Sequence, residues 1–434
     1  MTRTFYTALL YVLIIFTPFK LLWRARNQSE YLQHWQERYG FYSDQPQKPI
    51  IWLHCVSVGE TRAAAPLVEA LMLQHPSYQI LLTHTTPTGR ATAKLLFGNH
   101  VKSVYLPYDV PFAVNKFLAH FKPTIGMLME TELWFNLIAA CKARGIPLLL
   151  INARLSEKSA RGYDKLGQLV HEGLTNLTHV AAQTHQDAER LAKLGATNVS
   201  VMGNIKFDVM PPPNAAMDAQ KLRYILHGKE GGVINKTPRP IFLAASTRYL
   251  NGVDEETLVL QAVAKAAIPN LLTVIVPRHP QRFHDVEKLL QTHKLRYLKR
   301  SELQTANAEA ISQMQVLLGD SMGEMFMYYA LCDVAFIGGS LVALGGQNII
   351  EACAMAKPTL VGPHTFNFSQ VVAQALLQGA CLRVNNIDEL AAKLKALFEN
   401  SQAQQQMQQS ALAFRQLNQG ATLRIMELLN HHLK

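Results

Sequence analysis

The chain has 434 residues, of which 49% are hydrophobic and 17% charged: enough for two or three globular domains and too apolar for intrinsic disorder. Its five cysteines are an odd number at wide spacings without a CxxC, which argues against a disulfide framework or a zinc ribbon and for a reducing compartment. The net charge of +11 lies in residues 1–250, with 27 Lys and Arg against 16 Asp and Glu; residues 251–434 balance at 15 against 15. A basic first part suits an anionic partner, but no basic, aromatic-interleaved stripe speaks for nucleic acid.

The N-terminus favours a lipid partner. Sixteen uncharged residues, Thr4 to Phe19, precede Lys20, Arg24 and Arg26. As a helix this run spans about 24 Å. A full bilayer crossing needs ~20 residues, so the run crosses only with Lys20 and Trp23 snorkelling, or lies in one leaflet. No small-residue cleavage site follows, and the basic flank on the C-terminal side keeps the rest of the chain in the cytoplasm. Residues 1–26 are therefore expected to form a membrane anchor.

After a basic amphipathic stretch at Leu32–Tyr42, short apolar runs alternate with helical patterns. Buried parallel strands are expected at Ile50–Val56, Ile80–Leu82, Ser103–Tyr105, Ile125–Met129, Pro147–Ile151, His179–Ala182 and Val199–Val201, with helices such as Thr61–Gln74 and Leu133–Ala143 between them. Pro211-Pro212-Pro213, Gly231-Gly232 and Pro238/Pro240 interrupt the pattern, around one expected helix at Ala215–Gly228. A second series follows at Ile241–Ala244, Leu272–Val276, Tyr297–Leu298, Val316–Leu318, Val334–Ile337, Thr359–Val361 and Cys381–Val384. The expected fold is α/β, with two Rossmann-like doubly wound domains facing a cleft. Residues 27–210 form the first domain, 211–239 a linker, 240–400 the second domain and 401–434 a helical tail.

Several polar segments follow strands. His54-Cys55-Val56-Ser57-Val58-Gly59-Glu60 opens a helix, where the dipole would hold Glu60 ionised. Such a carboxylate can accept a hydroxyl proton, or merely stabilise its own helix; position leaves both open. Glu130 and Glu132 follow the run Ile125–Met129 and serve either a ligand or the next helix as caps. Lys206, before the proline run, suits an anionic group. Asn152-Ala153-Arg154, with Ser156, Lys158, Ser159 and Arg161, forms a polar, basic loop.

In the second domain Pro277-Arg278-His279 follows a strand, with Arg278 a candidate phosphate ligand. Asp320-Ser321-Met322-Gly323-Glu324 follows another. Gly338-Gly339-Ser340 and Gly345-Gly346-Gln347-Asn348-Ile349-Ile350-Glu351 join a strand to a helix, whose amides make an anion site, with Glu351 placed for ribose hydroxyls. No GxGxxG opens either series, no GxxxxGK[ST] occurs, and no His or Cys spacing marks a metal site.

These blocks resemble one family. VSVGE (56–60), YLPYD (105–109), METELW (129–134), NARLS (152–156), KFD (206–208), VPRHP (276–280), GGSLV (338–342) and GPHTFNF (362–368) are similar to those of 3-deoxy-D-manno-octulosonic acid (Kdo) transferases of Gram-negative bacteria. The resemblance implies a GT-B architecture and an inverting reaction without metal or other cofactor. It implies a CMP-Kdo donor on the second domain, a lipid A precursor acceptor on the first, and a place on the cytoplasmic side of the inner membrane, against its phospholipid. By position, Glu60 matches the general base that deprotonates the lipid's 6'-hydroxyl. Glu130 and Lys206 match transition-state support. Pro277, Arg278, Met322, Gly323, Glu324, Asn348, Ile349, Ile350 and Glu351 match the CMP-binding segments.

Two departures stand out. Where the family often reads STHEGEE, this chain has a longer loop, Ser246-Thr247-Arg248-Tyr249-Leu250-Asn251-Gly252-Val253-Asp254-Glu255-Glu256, with Arg248 for histidine. Gln347 replaces the histidine of GGHNPLE, which removes any acid–base role there. A UDP-sugar transferase or epimerase, and a non-catalytic membrane-bound protein of the same fold, are the rival expectations.

Overall fold

In a computed structural model describing residues 1–226, 229–230, 233–234 and 239–433, the chain forms two compact units. The first is Met1–Val209 with Asn418–Lys434, and the second is Met210–Leu417. Gly231-Gly232, Pro238 and the end of the helix expected to reach Gly228 lie outside the described residues; the helix itself runs Ala215–Leu226.

The first unit holds seven strands: β1 (Ile50–His54), β2 (Gln79–His84), β3 (Val101–Tyr105), β4 (Ile125–Met129), β5 (Leu148–Ala153), β6 (His179–Ala182) and β7 (Val199–Val201). They pair in parallel in the order β3-β2-β1-β4-β5-β6-β7. Every residue of β1, β4 and β5 is buried, which explains their unbroken apolar sequences. The order reverses between β1 and β4, so the loops after these two strands open the switch point where such sheets take ligands.

The second unit repeats the design with β8 (Ile241–Thr247), β9 (Leu272–Pro277), β10 (Tyr297–Lys299), β11 (Val316–Leu318), β12 (Val334–Ile337), β13 (Thr359–Val361) and β14 (Leu382–Arg383). Its parallel order is β10-β11-β9-β8-β12-β13-β14, reversing between β8 and β12.

Three expectations change. The helix expected at Thr61–Gln74 is two, Val58–Ala63 and Ala65–Gln74, because Pro66 cannot donate to a continuous ladder. The single N-terminal helix is also two, Arg3–Ile14 and Thr17–Ala25, bent by 50°. Pro18 breaks the run, and the Thr17 hydroxyl satisfies the orphaned Ile14 carbonyl at 2.7 Å. Among the described residues no single helix is long and apolar enough to cross a membrane; the bent pair reaches that length and apolarity only together. Finally, residues 401–434 do not form one appendage. Helix Ser401–Asn418 runs to the boundary of the second unit, whereas helix Ala421–His432 buries Ile425, Met426 and Leu429 against Leu67 and Leu71 of the first. Asp208 fastens the return by accepting from the Gly420 and Thr422 amides, both at 2.6 Å.

Candidate active site

Glu60 stands at the carboxyl end of β1, in the first turn of helix Val58–Ala63, whose cap is Ser57. One carboxylate oxygen accepts from the Val56 amide at 2.8 Å and the other from the Ser57 hydroxyl at 3.0 Å. Burial pushes its pKa up to about 7, against those two donors, and the charges of Glu130 and Glu132 push the same way. The helix dipole was expected to hold it ionised; desolvation and the neighbouring carboxylates outweigh the dipole. Glu60 thus braces the turn into its own helix and is also only half-buried.

Glu130 follows β4 with φ +58°, a left-handed conformation that costs a non-glycine residue energy and needs the surroundings to hold it. Its amide donates to the Ile151 carbonyl at 3.0 Å, and its carboxylate meets Lys206 Nζ at 2.8 Å. Lys206 lies in the turn after β7, and Asn152 braces that turn. Asn152 is fully buried at the end of β5, and its side-chain oxygen accepts from the Ile205 amide at 3.1 Å. Loops after β1, β4, β5 and β7 thus converge on one polar cluster, a half-buried carboxylate beside an ion pair. Burial, then Glu130, raises the Glu132 carboxyl too. The rest of the basic loop is structural in part: Ser156 caps helix Glu157–Asp164, and Arg161 pairs with exposed Glu157.

In the second unit Arg278 is exposed just beyond β9, and its amide donates to the Thr247 carbonyl at 3.0 Å. Burial and the charges of Arg248 and Arg278 lower the pKa of exposed His279, so the two guanidinium groups share one patch. Glu351 lies one turn past Asn348, which donates to it at 3.1 Å. Met322 and Gly323 are exposed, and Glu324 is held by Arg300 at 3.2 Å and by the Ser321 hydroxyl.

Several amides of the glycine segments expected to form an anion site donate within the protein. The Gly339, Ser340 and Leu341 amides, with that of Arg248, all donate to the Glu255 carboxylate at 2.5–3.1 Å. The Gly346 and Gln347 amides donate to the carbonyls of Gly339 and Gly338, and the Ile350 amide to the Asn348 side chain. The helix that follows, Ile350–Ala354, is little more than one turn, and the Ile349 and Ile350 side chains are core. These amides are spent inside the protein. Gly338 is required for another reason: a Cβ there would lie 2.4 Å from the Ser246 carbonyl.

A groove of about 840 Å³ along β3, lined by Lys48, Arg90, Lys94 and Lys102 among others, contains none of the expected site residues.

Comparison with known proteins separates the rivals. Residues 33–209 match the family described as 3-Deoxy-D-manno-octulosonic-acid transferase (kdotransferase), and residues 229–413 match glycosyl transferases group 1. A 3-deoxy-D-manno-octulosonic acid transferase of Bordetella pertussis is 39% identical, over 96% of this chain and 96% of its own length. The chain belongs to this family. A second relative of that name, from Haemophilus influenzae, is 36% identical over 100% of this chain and 99% of its own length. Among solved structures, a glycosyltransferase from Rickettsia africae covers 90% of this chain and 100% of that one at TM-score 0.57 and 15% identity. A UDP-GlcNAc 2-epimerase from Neisseria meningitidis reaches 0.56 at 16%, over 89% of this chain and 100% of that one. Transferases and epimerases share this GT-B fold, so the family assignment rests on sequence.

As a Kdo transferase, the chain is a glycosyltransferase enzyme. Three of its residues have a bracing role that the sequence did not show, although each stands in a segment compared with the family above. Glu255, Asn152 and Asp109 are buried polar groups that organise segments 28 to 86 residues away in sequence. Only a long-range contact reveals such a role.

Proposed function

We propose that this enzyme transfers Kdo from CMP-Kdo to the 6'-hydroxyl of a lipid A precursor with inversion, using Glu60 as general base. The acceptor hydroxyl gives its proton to a Glu60 oxygen while its own oxygen attacks the anomeric carbon, and CMP leaves with the bonding pair. The observation that carries the reading is Glu60 itself. It is half-buried, fixed by two donors at the switch point of the first sheet, and tuned to about pH 7. A base with that pKa is substantially ionised at neutral pH and still a strong proton acceptor.

Glu130 and Lys206 support charge development beside it. Arg278, with Arg248, meets the CMP phosphate and the Kdo carboxylate, a role argued from the two guanidinium groups at His279. Pro277, Met322, Gly323, Glu324, Asn348 and Glu351 border the nucleotide. Ile349 and Ile350, whose side chains are core, hold Asn348 and Glu351 in place.

The N-terminal pair attaches the enzyme to the cytoplasmic face of the inner membrane, lying in one leaflet. In support, Phe5, Val12, Ile15, Phe16, Phe19 and Trp23 are exposed, while Tyr6 and Thr7 on the other side of the first helix bond to the first unit.

The test is a mass-spectrometric transfer assay with fresh CMP-Kdo and tetraacyl lipid A precursor in the presence of EDTA. A product heavier by Kdo units supports donor, acceptor and metal independence together. No product from folded enzyme with intact donor refutes the assignment and makes the Arg248 loop the first suspect.

A further inference from the structure

The contacts of Tyr6 reach beyond attachment. Asp109, in the YLPYD block, is 4% exposed and collects three donors. They are the Tyr6 hydroxyl at 2.9 Å, the Asn136 amide at 3.0 Å and the Leu137 amide at 2.8 Å. The last two are the first-turn amides of helix Phe135–Ala143, so Asp109 caps that helix from a distance. Asn136 returns a bond to the Asp109 carbonyl at 2.7 Å, and its side-chain oxygen accepts from the Thr7 hydroxyl at 2.9 Å. The Tyr6 ring stands edge-on to Phe135 at 5.3 Å. Two successive residues of the first helix thus fasten the residues that open helix Phe135–Ala143.

Only residues 130–134 separate that helix from the end of β4, and this short loop begins at the strained Glu130. Strain of this kind persists only while both ends are held. The β4 end is held by the sheet; the Tyr163 hydroxyl reaches the Thr131 carbonyl at 3.2 Å; the far end is held by Asp109 and its partners. We propose that the helix Arg3–Ile14 is a positioning element of the acidic loop 130–134, acting through the Tyr6–Asp109 and Thr7–Asn136 bonds. The segment that carries the apolar face therefore also sets the geometry of the Glu130–Lys206 pair. The inference rests on the reading that this pair acts in transfer.

The experiment compares the full chain with its Tyr6→Phe variant on two acceptors, the acylated precursor in micelles and a deacylated, water-soluble disaccharide phosphate. Loss of one hydroxyl should lower kcat about fivefold on both acceptors. KM for CMP-Kdo and binding to anionic phospholipid vesicles should stay unchanged. Asp109→Asn should repeat the kcat loss. In a Glu130→Gln background Tyr6→Phe should add less than twofold, because both act on one loop. A loss confined to the acylated acceptor, together with weaker vesicle binding, would reduce the helix to an anchor and overturn the proposal. So would an undiminished fivefold loss in the Glu130→Gln background. Wild-type turnover with a silent Glu130→Gln would instead remove the reading of the pair, and the proposal with it.

Discussion

Glu60 and Glu255 make an instructive pair. Each belongs to the first turn of a helix that follows the first strand of its sheet, and burial lifts each pKa to about 7. Their surroundings otherwise differ. Glu255 has no exposed surface, and four backbone amides from two loops saturate its oxygens. Glu60 has two donors and remains half-exposed, with spare lone pairs. A shifted pKa thus marks burial in both units and, on the function proposed above, chemistry in only one. Reach and unspent acceptor capacity separate a base from an internal brace.

The contrast predicts opposite responses to the same substitution. Glu60→Gln should reduce kcat on the order of 10³-fold while CMP affinity, measured by calorimetry, stays at the wild-type level. Lys206→Met and Glu130→Gln should each lower kcat on the order of 10²-fold, since each leaves its partner uncompensated beside the reacting atoms. Glu255→Gln should act on the fold and the donor. Its amide would oppose at least one backbone N–H, so Tm should fall on the order of 5 °C and KM for CMP-Kdo should rise. Arg278→Ala should cost roughly tenfold in kcat/KM for the donor, and Arg278→Lys should restore only part of it, because a point charge does not replace a bidentate fork.

The smallest effect carries a sign. Glu60 stays protonated in the fold between about pH 4.5 and 7, where it ionises in the unfolded chain. Its contribution to stability therefore falls as pH rises through that window and stays low above it. Glu60→Gln should raise Tm by about 2 °C at pH 8 and by less at pH 4.5, read by thermal melts at the two pH values. A loss of Tm at pH 8 would show that the two carboxylates are both braces.

Much of this was legible in the sequence, for physical reasons. Strands buried on both faces produce continuous apolar runs, so Ile125–Met129, His179–Ala182, Val316–Leu318, Val334–Ile337 and Thr359–Val361 could be read residue for residue. Glu60 was legible because strand, Ser57 cap and first-turn carboxylate lie within eleven residues, Ile50 to Glu60. What failed was non-local. The glycines at 338–346 read as a phosphate cradle, whereas the Gly339, Ser340 and Leu341 amides donate to Glu255, 84 residues before Gly339. Asp208 reads as a neighbour of Lys206 until Gly420, 212 residues on, donates to it. Tyr6 reads as one more aromatic in an apolar run until Asp109 stands opposite its hydroxyl. The break at Pro18 was local and could have been read, since proline inside a helical run removes a donor and crowds the preceding turn.

The central claim is that Glu60 is the base, and the pH dependence of kcat/KM for the lipid acceptor tests it most directly. The profile should rise tenfold per pH unit below an apparent pKa near 7 and then level, and the residual turnover of Glu60→Gln should lack that ascending limb. The same limb persisting in Glu60→Gln, or a wild-type profile flat from pH 5 to 8, would contradict the assignment.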